Sequence, residues 1–111
     1  MARILVVEDD PSQLEIRKQI LENAGHQVVT AQDASEALER WPGCALVLMD
    51  LRIPEPEDGA RLIQAVRCKA RIIVLTGGAV DPALSVDEIL TKPCPSRRLL
   101  ESIDKWISAL S

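Results

Sequence analysis

The stretch that decides the fold is Ile4-Leu5-Val6-Val7-Glu8-Asp9-Asp10 (residues 4–10), in which four apolar residues are followed at once by three acids. A short, continuous and partly β-branched apolar run of this kind is typical of a strand that is buried on both faces. Similar runs recur along the chain between polar or turn-forming residues. They predict four more strands, at residues 27–30, 45–49, 72–75 and 88–91.

Helical signals separate these runs. Asp10, which precedes a proline, predicts the N-cap of the first helix, and Asp33 with Glu36 three residues later predicts a capping box at the second. Residues 53–59 predict a loop before a third helix, and an amphipathic last helix follows Pro95. Because strands and helices alternate, the sequence predicts an α/β fold with a doubly wound, five-stranded parallel sheet.

Composition limits the possible functions. The 111 residues, 47% of them hydrophobic, predict one domain over 1–111 and exclude a disordered chain. No apolar run reaches the roughly 18 residues of a membrane helix, and the net charge of −4 lacks the basic footprint of direct nucleic-acid binding. Three cysteines without metal-binding spacing and a single histidine disfavour structural zinc and indicate a reduced, cytoplasmic protein.

Polar side chains follow the predicted strands at the points where the strands end. Glu8 and Asp9 follow the first strand, and Asp50 follows the third. Thr76 follows the fourth strand and Lys92 the fifth. Because the functional sites of doubly wound sheets lie at the carboxyl ends of the strands, we expect these five side chains to converge on one edge.

The residue types at this edge suit phosphoryl transfer. Clustered carboxylates repel one another unless a cation lies among them, and oxygen ligands suit a hard ion such as Mg²⁺. An aspartate such as Asp50 can accept a phosphoryl group as an acyl phosphate. A metal ion, a lysine and a hydroxyl group can stabilise the charge on the transferred oxygens.

Together, these residues resemble a known family. Four motifs in order along the chain, each at a strand end, resemble the receiver domain of bacterial two-component response regulators. The motifs are ILVVEDD (4–10), LVLMDLRIP (46–54) with Gly59 after it, IIVLTG (72–77) and LTKP (90–93). The resemblance covers essentially the whole chain and implies a flavodoxin-like fold of the receiver type.

The resemblance implies a Mg²⁺ site and its ligands. Asp9 and Asp50 would bind the ion directly, and Glu8 would act through a water molecule. The backbone carbonyl of Arg52 would complete the ligands that the protein supplies.

The resemblance also implies the phosphoryl chemistry. Asp50 would be the phosphoacceptor, Thr76 would bond the phosphoryl oxygen, and Lys92 would pair with the aspartyl phosphate. The Lys92–Pro93 peptide bond is expected to be cis. The implied partners are a sensor histidine kinase or phosphotransfer protein and a downstream protein or output domain, with no membrane contact and a monomeric or weakly dimeric state.

Two features depart from the family pattern. The segment between Thr76 and Lys92 is several residues short, which predicts a shortened or missing helix between the fourth and fifth strands. Ile89 stands where the family has an aromatic switch residue, and the chain contains no Phe or Tyr. A phosphorylation-independent docking module is therefore the alternative to a signalling receiver, whereas a phosphohydrolase is disfavoured because Arg52 replaces the second acid. A metabolic enzyme activity is not expected.

Overall fold

Strands and helices alternate along most of the described part of the chain, as the sequence predicts. The computed structural model describes residues 2–50, 56–67, 69–77 and 86–108. The strands in these ranges are β1 (Arg3–Val7), β2 (Gln27–Ala31), β3 (Leu46–Asp50), β4 (Arg71–Thr76) and β5 (Glu88–Thr91). The helices there are α1 (Pro11–Asn23), α2 (Ala34–Arg40), α3 (Pro56–Val66) and α4 (Ser96–Ser108).

The five strands form one parallel sheet in the order β2-β1-β3-β4-β5. The predicted fold class is confirmed, and each predicted strand boundary lies within one residue of the observed one. The chain moves outward from β1 to β2 and then crosses back to β3, so the winding direction reverses between β1 and β3. In sheets of this kind, the crevice at such a reversal is where ligands bind.

Both faces of the sheet are buried under helices, because alternate strand side chains point to opposite sides. One apolar cluster joins α2 and α3 to the sheet, and the other joins α1 and α4. The first cluster includes Leu5, Ala37, Val47, Leu62, Val66 and Val74. The second includes Ile4, Val6, Leu14, Leu21, Leu48, Leu99 and Ile103. Each fully buried Leu or Ile stabilises the fold by about 1.5–3 kcal/mol, so the two clusters hold the layers together.

The predicted caps begin the first two helices. The Asp10 side chain accepts a hydrogen bond from the Ser12 amide at 2.9 Å, and the Asp33 side chain accepts one from the Glu36 amide at 2.8 Å. The Glu36 carboxylate accepts from the amide of Gln32 at 2.7 Å, one residue before the N-cap itself. These bonds satisfy amides that have no partner within the helix.

The third helix begins earlier than the sequence predicts. The loop prediction for 53–59 is wrong from residue 56 onward, because α3 begins at Pro56. A proline is well suited to the first helical position, where its missing N–H leaves no bond unmade. Residues 51–55 lie outside the described ranges, as do residues 78–85, on which the predicted loss of a helix between β4 and β5 falls. Among the described helices, none is long and apolar enough to cross a membrane.

Candidate functional site

Two carboxylates lie side by side at the carboxyl edge of the sheet. β1 and β3 pair in a register that sets Val7 opposite Met49. Glu8 directly follows the end of β1, and Asp50 is the last residue of β3. Glu8 is 0% exposed and Asp50 is 2% exposed. The alternation of side chains turns both toward the face that α1 and α4 cover. The predicted convergence of Glu8 and Asp50 is thereby confirmed.

Lys92 completes a direct contact with Asp50. Its Nζ donates to Oδ2 of Asp50 at 2.5 Å. The Lys92–Pro93 peptide bond is cis, as the resemblance implies. The Lys92 amide also donates to the carbonyl of Thr76 at 2.7 Å, which fixes the start of the segment after β5 against the end of β4.

Thr76 closes the same edge from β4. Asp50 pairs with Leu75 in the β3–β4 register, and Thr76 is the next residue. Thr76 is 7% exposed and pairs with Thr91 of β5. The structure thus brings Thr76 to the edge where Asp50 and Lys92 meet.

A cation that the sequence reasoning missed also enters this site. Nη1 of Arg17, on α1, lies 3.1 Å from Oε2 of Glu8 and 3.9 Å from Oδ2 of Asp50. The signal was present in the sequence, because residue 17 lies three after Leu14 and four before Leu21, on the buried side of the helix. A charged residue on the buried side of a helix needs a partner of opposite charge, and the acids at the strand ends are that partner here.

Burial and charge act in opposite directions on the ionisation of Glu8. Burial raises the pKa of Glu8 from its ordinary value to about 7, and the hydrogen bond and negative charge of Asp50 add to the rise. The positive charges of Arg17 and Lys92 act in the opposite direction. Two buried carboxylates in this state offer oxygen ligands to a hard cation, so the residues fit a Mg²⁺ ion.

Asp9 is a predicted ligand that the structure does not bring into this group. Asp9 is exposed, and among the residues that the structure describes no three His, Cys, Asp or Glu side chains form a metal-binding group. Arg52, whose carbonyl was the fourth predicted ligand, lies outside the described ranges. The roles of Asp9 and Arg52 at the metal therefore stay predictions.

The position of the site, at the carboxyl edge of a doubly wound sheet, agrees with the protein family that the sequence matches. A sequence model described as the response regulator receiver domain matches residues 4–104. The chain belongs to the response regulator receiver domain family. The resemblance drawn from the four motifs is confirmed.

Known transcriptional regulatory proteins contain a region similar to this receiver domain. It is 34% identical over 114 residues to the transcriptional regulatory protein GlrR of Escherichia coli strain K12, in a match that covers 93% of this chain and 26% of GlrR. The chain spans about a quarter of the length of that relative.

Solved structures agree with the fold in detail. A CheY-like response regulator receiver domain protein from Methanospirillum hungatei JF-1 superimposes with a TM-score of 0.87 at 31% identity, covering 98% of this chain and 95% of that one. The signal receiver domain of a signal transduction histidine kinase from Syntrophus aciditrophicus gives a TM-score of 0.87 at 28% identity, covering 100% of this chain and 93% of that one.

The edge strand carries the position at which the family resemblance implies an aromatic switch residue. Ile89 lies on β5 opposite Val74 and is 42% exposed. The sequence has no Phe or Tyr, so an aliphatic side chain occupies the position where the family resemblance implies an aromatic switch.

Proposed function

We propose that this receiver domain accepts a phosphoryl group on Asp50 and relays its arrival as a conformational change. The observation that carries the proposal is the buried Asp50 carboxylate, which lies at a strand end beside Glu8 and in contact with Lys92. A carboxylate held in this way is oriented by its neighbours and protected from bulk water, as a nucleophile must be.

The transfer step makes one bond and breaks one bond. A carboxylate oxygen of Asp50 bonds to phosphorus while the bond between phosphorus and the donor histidine nitrogen breaks. The electron pair returns to the imidazole, and an aspartyl phosphate remains. Lys92 pairs with the added negative charge, and the Thr76 hydroxyl donates to a phosphoryl oxygen.

The proposal includes a Mg²⁺ ion that Asp9 and Asp50 would bind directly, with Glu8 acting through a water molecule and the backbone carbonyl of Arg52 as a further ligand. When bound, the ion neutralises charge on the transferred phosphoryl oxygens. The buried, oxygen-only pair of Glu8 and Asp50 supports this part of the proposal. The domain would catalyse its own phosphorylation and slow hydrolysis without being a metabolic enzyme.

The partners follow from the chemistry. The phosphoryl donor is a sensor histidine kinase or a phosphotransfer protein, and the recipient of the signal is a downstream protein or an attached output domain. The net charge of −4 argues against direct nucleic-acid binding. The proposed location is the cytoplasm, and the proposed state is a monomer or weak dimer.

Beryllofluoride and acetyl phosphate test the proposal. Wild-type protein should form a Mg²⁺-dependent beryllofluoride adduct, seen by NMR, and gain the mass of one phosphoryl group from acetyl phosphate. Asp50→Ala should do neither, whereas Glu101→Gln, which changes a carboxylate that is 60% exposed, should behave as wild type. A phosphorylation-independent docking module predicts no adduct on the wild-type protein.

A further inference from the structure

Arg17 occupies a position in α1 where an apolar side chain is the ordinary choice. It lies between Leu14 and Leu21, which are 7% and 0% exposed and belong to the cluster that packs α1 and α4 on the sheet. The side chain of Arg17 is itself only 12% exposed. Arginine is seldom buried unless it is paired, so the placement requires a specific partner.

The partner is the acid pair at the sheet edge. The buried Nη1 atom of Arg17 lies 3.1 Å from Glu8 and 3.9 Å from Asp50, and the Asp50 oxygen concerned is the one that Lys92 also contacts. Within the described residues, Arg17 and Lys92 are thus two cations of the chain that face the two buried carboxylates. Arg17 contacts both carboxylates of the pair.

We propose that Arg17 is the resident counter-ion of this pocket and competes with the divalent cation for Glu8 and Asp50. The inference rests on the proposed Mg²⁺ site. A guanidinium keeps its charge at every accessible pH, so deprotonation cannot remove it from the pocket. A cation bound to the same oxygens would lie against Nη1, and the two positive groups would repel each other.

Arg17 and Lys92 also line a cleft between α1 and the start of α4, together with Gln13, Cys94 and Ser96. Movement toward this cleft would free the oxygens of Glu8 and Asp50 for the metal. The domain would then bind Mg²⁺ more weakly than the same pocket without Arg17, and would couple cation binding to the position of α1 side chains.

Cation affinity measured without phosphorylation tests the competition. Mg²⁺ is titrated at constant ionic strength into wild type, Arg17→Met and Arg17→Lys, and amide shifts in two-dimensional NMR give the dissociation constants. Arg17→Met keeps an unbranched apolar stem and a similar helix propensity but removes the guanidinium and its charge. It should therefore bind Mg²⁺ about tenfold more tightly, since an adjacent like charge costs a site about that factor or more. Arg17→Lys should stay near wild type, as should Arg97→Met, which removes a charge that is 91% exposed.

The outcomes separate this inference from the proposed function. Equal Mg²⁺ affinity in wild type and Arg17→Met overturns the competition and leaves the metal site standing. Absence of Mg²⁺ binding in every variant overturns the proposed metal site and the competition with it. If Arg17→Met fails to fold, the guanidinium resonances of wild-type Arg17 decide: a shift and faster solvent exchange on Mg²⁺ saturation support the proposal, and unchanged resonances overturn it.

Discussion

Nζ of Lys92 lies 2.5 Å from Oδ2 of Asp50, although 42 residues separate the two in the chain. The Asp50 side chain is 2% exposed and that of Lys92 is 22% exposed. A carboxylate removed from water to this degree is costly unless charged donors reach it. The contact therefore links the residue after β5 to the centre of the sheet, so the same interaction contributes to the stability of the fold and to the functional site.

Loss of the lysine should destabilise the fold. We expect Lys92→Met to lower the free energy of unfolding by about 1–3 kcal/mol, because the buried Asp50 carboxylate loses its hydrogen-bonded donor. Urea denaturation at fixed ionic strength measures the change. In an Asp50→Asn background the same substitution should cost less, since a neutral amide needs no counter-charge. Equal costs in the two backgrounds would contradict a direct Lys92–Asp50 interaction.

Glu88 joins the edge strand to the last helix. Its carboxylate accepts hydrogen bonds from Nε1 of Trp106 at 2.7 Å and from Nη2 of Arg98 at 2.9 Å. Burial by itself would raise the pKa of Glu88. The hydrogen bonds from Trp106, Ser102 and Arg98 and the charge of Lys105 outweigh this effect and hold the pKa below its ordinary value.

The lowered pKa of Glu88 predicts a loss of stability in acid. A carboxyl group with a lowered folded-state pKa contributes its stability above the unfolded-state pKa, about 4.3, and loses it as the pH falls through the folded value. Wild-type protein should therefore lose stability between about pH 5 and pH 3, and Glu88→Gln should lose less over that range. Denaturant unfolding at each pH measures both slopes. The exposed Glu101→Gln serves as control, and a Glu88→Gln slope parallel to wild type would contradict the prediction.

Two glycines give a matched test of backbone strain. Gly25 follows α1 with a φ of +96°, and its amide and that of His26 donate to the carbonyls of Glu22 and Leu21. A Cβ at Gly25 would meet no atom within 4 Å, so the cost of Gly25→Ala is the left-handed backbone alone, about 1–2 kcal/mol. Gly77 has equal space without a left-handed φ.

Gly77→Ala is therefore expected to be neutral or stabilising by up to about 1 kcal/mol, because alanine restricts the unfolded chain. Thermal unfolding of the two variants side by side measures the contrast. Similar losses in both variants would contradict the prediction that the left-handed conformation at Gly25 determines the cost.

The residues at the strand ends were predictable from the sequence, because the apolar runs show where each strand lies and which residue follows it. Asp50 and Lys92 each follow an apolar run, and parallel strands bring such positions to one edge. Arg17 was not predictable in the same way, since helical spacing places it beside Leu14 and Leu21 without showing what that part of the helix faces. The start of α3 at Pro56 was missed because a proline there suits a loop and a first helical turn equally well.

Thr76 and Thr91 provide the sharpest test of the signalling role. They are register partners on β4 and β5, but Thr76 is 7% exposed at the site, whereas Thr91 is exposed to solvent. Valine has nearly the shape of threonine without the hydroxyl. We expect Thr76→Val to bind beryllofluoride at least about tenfold more weakly, because one hydrogen bond to a charged group contributes about 1.5–3 kcal/mol.

Thr76→Val should have a larger effect on the conformational response outside the site than on the binding of beryllofluoride. If the Thr76 hydroxyl carries the signal, beryllofluoride will shift amides along β5 less in Thr76→Val than in wild type, even when the adduct is saturated. Thr76→Ser should restore the response, and Thr91→Val should leave it unchanged. A full β5 response in saturated Thr76→Val would contradict a relay through this hydroxyl, and the signal would then have to leave Asp50 through Lys92, whose amide already bonds the Thr76 carbonyl.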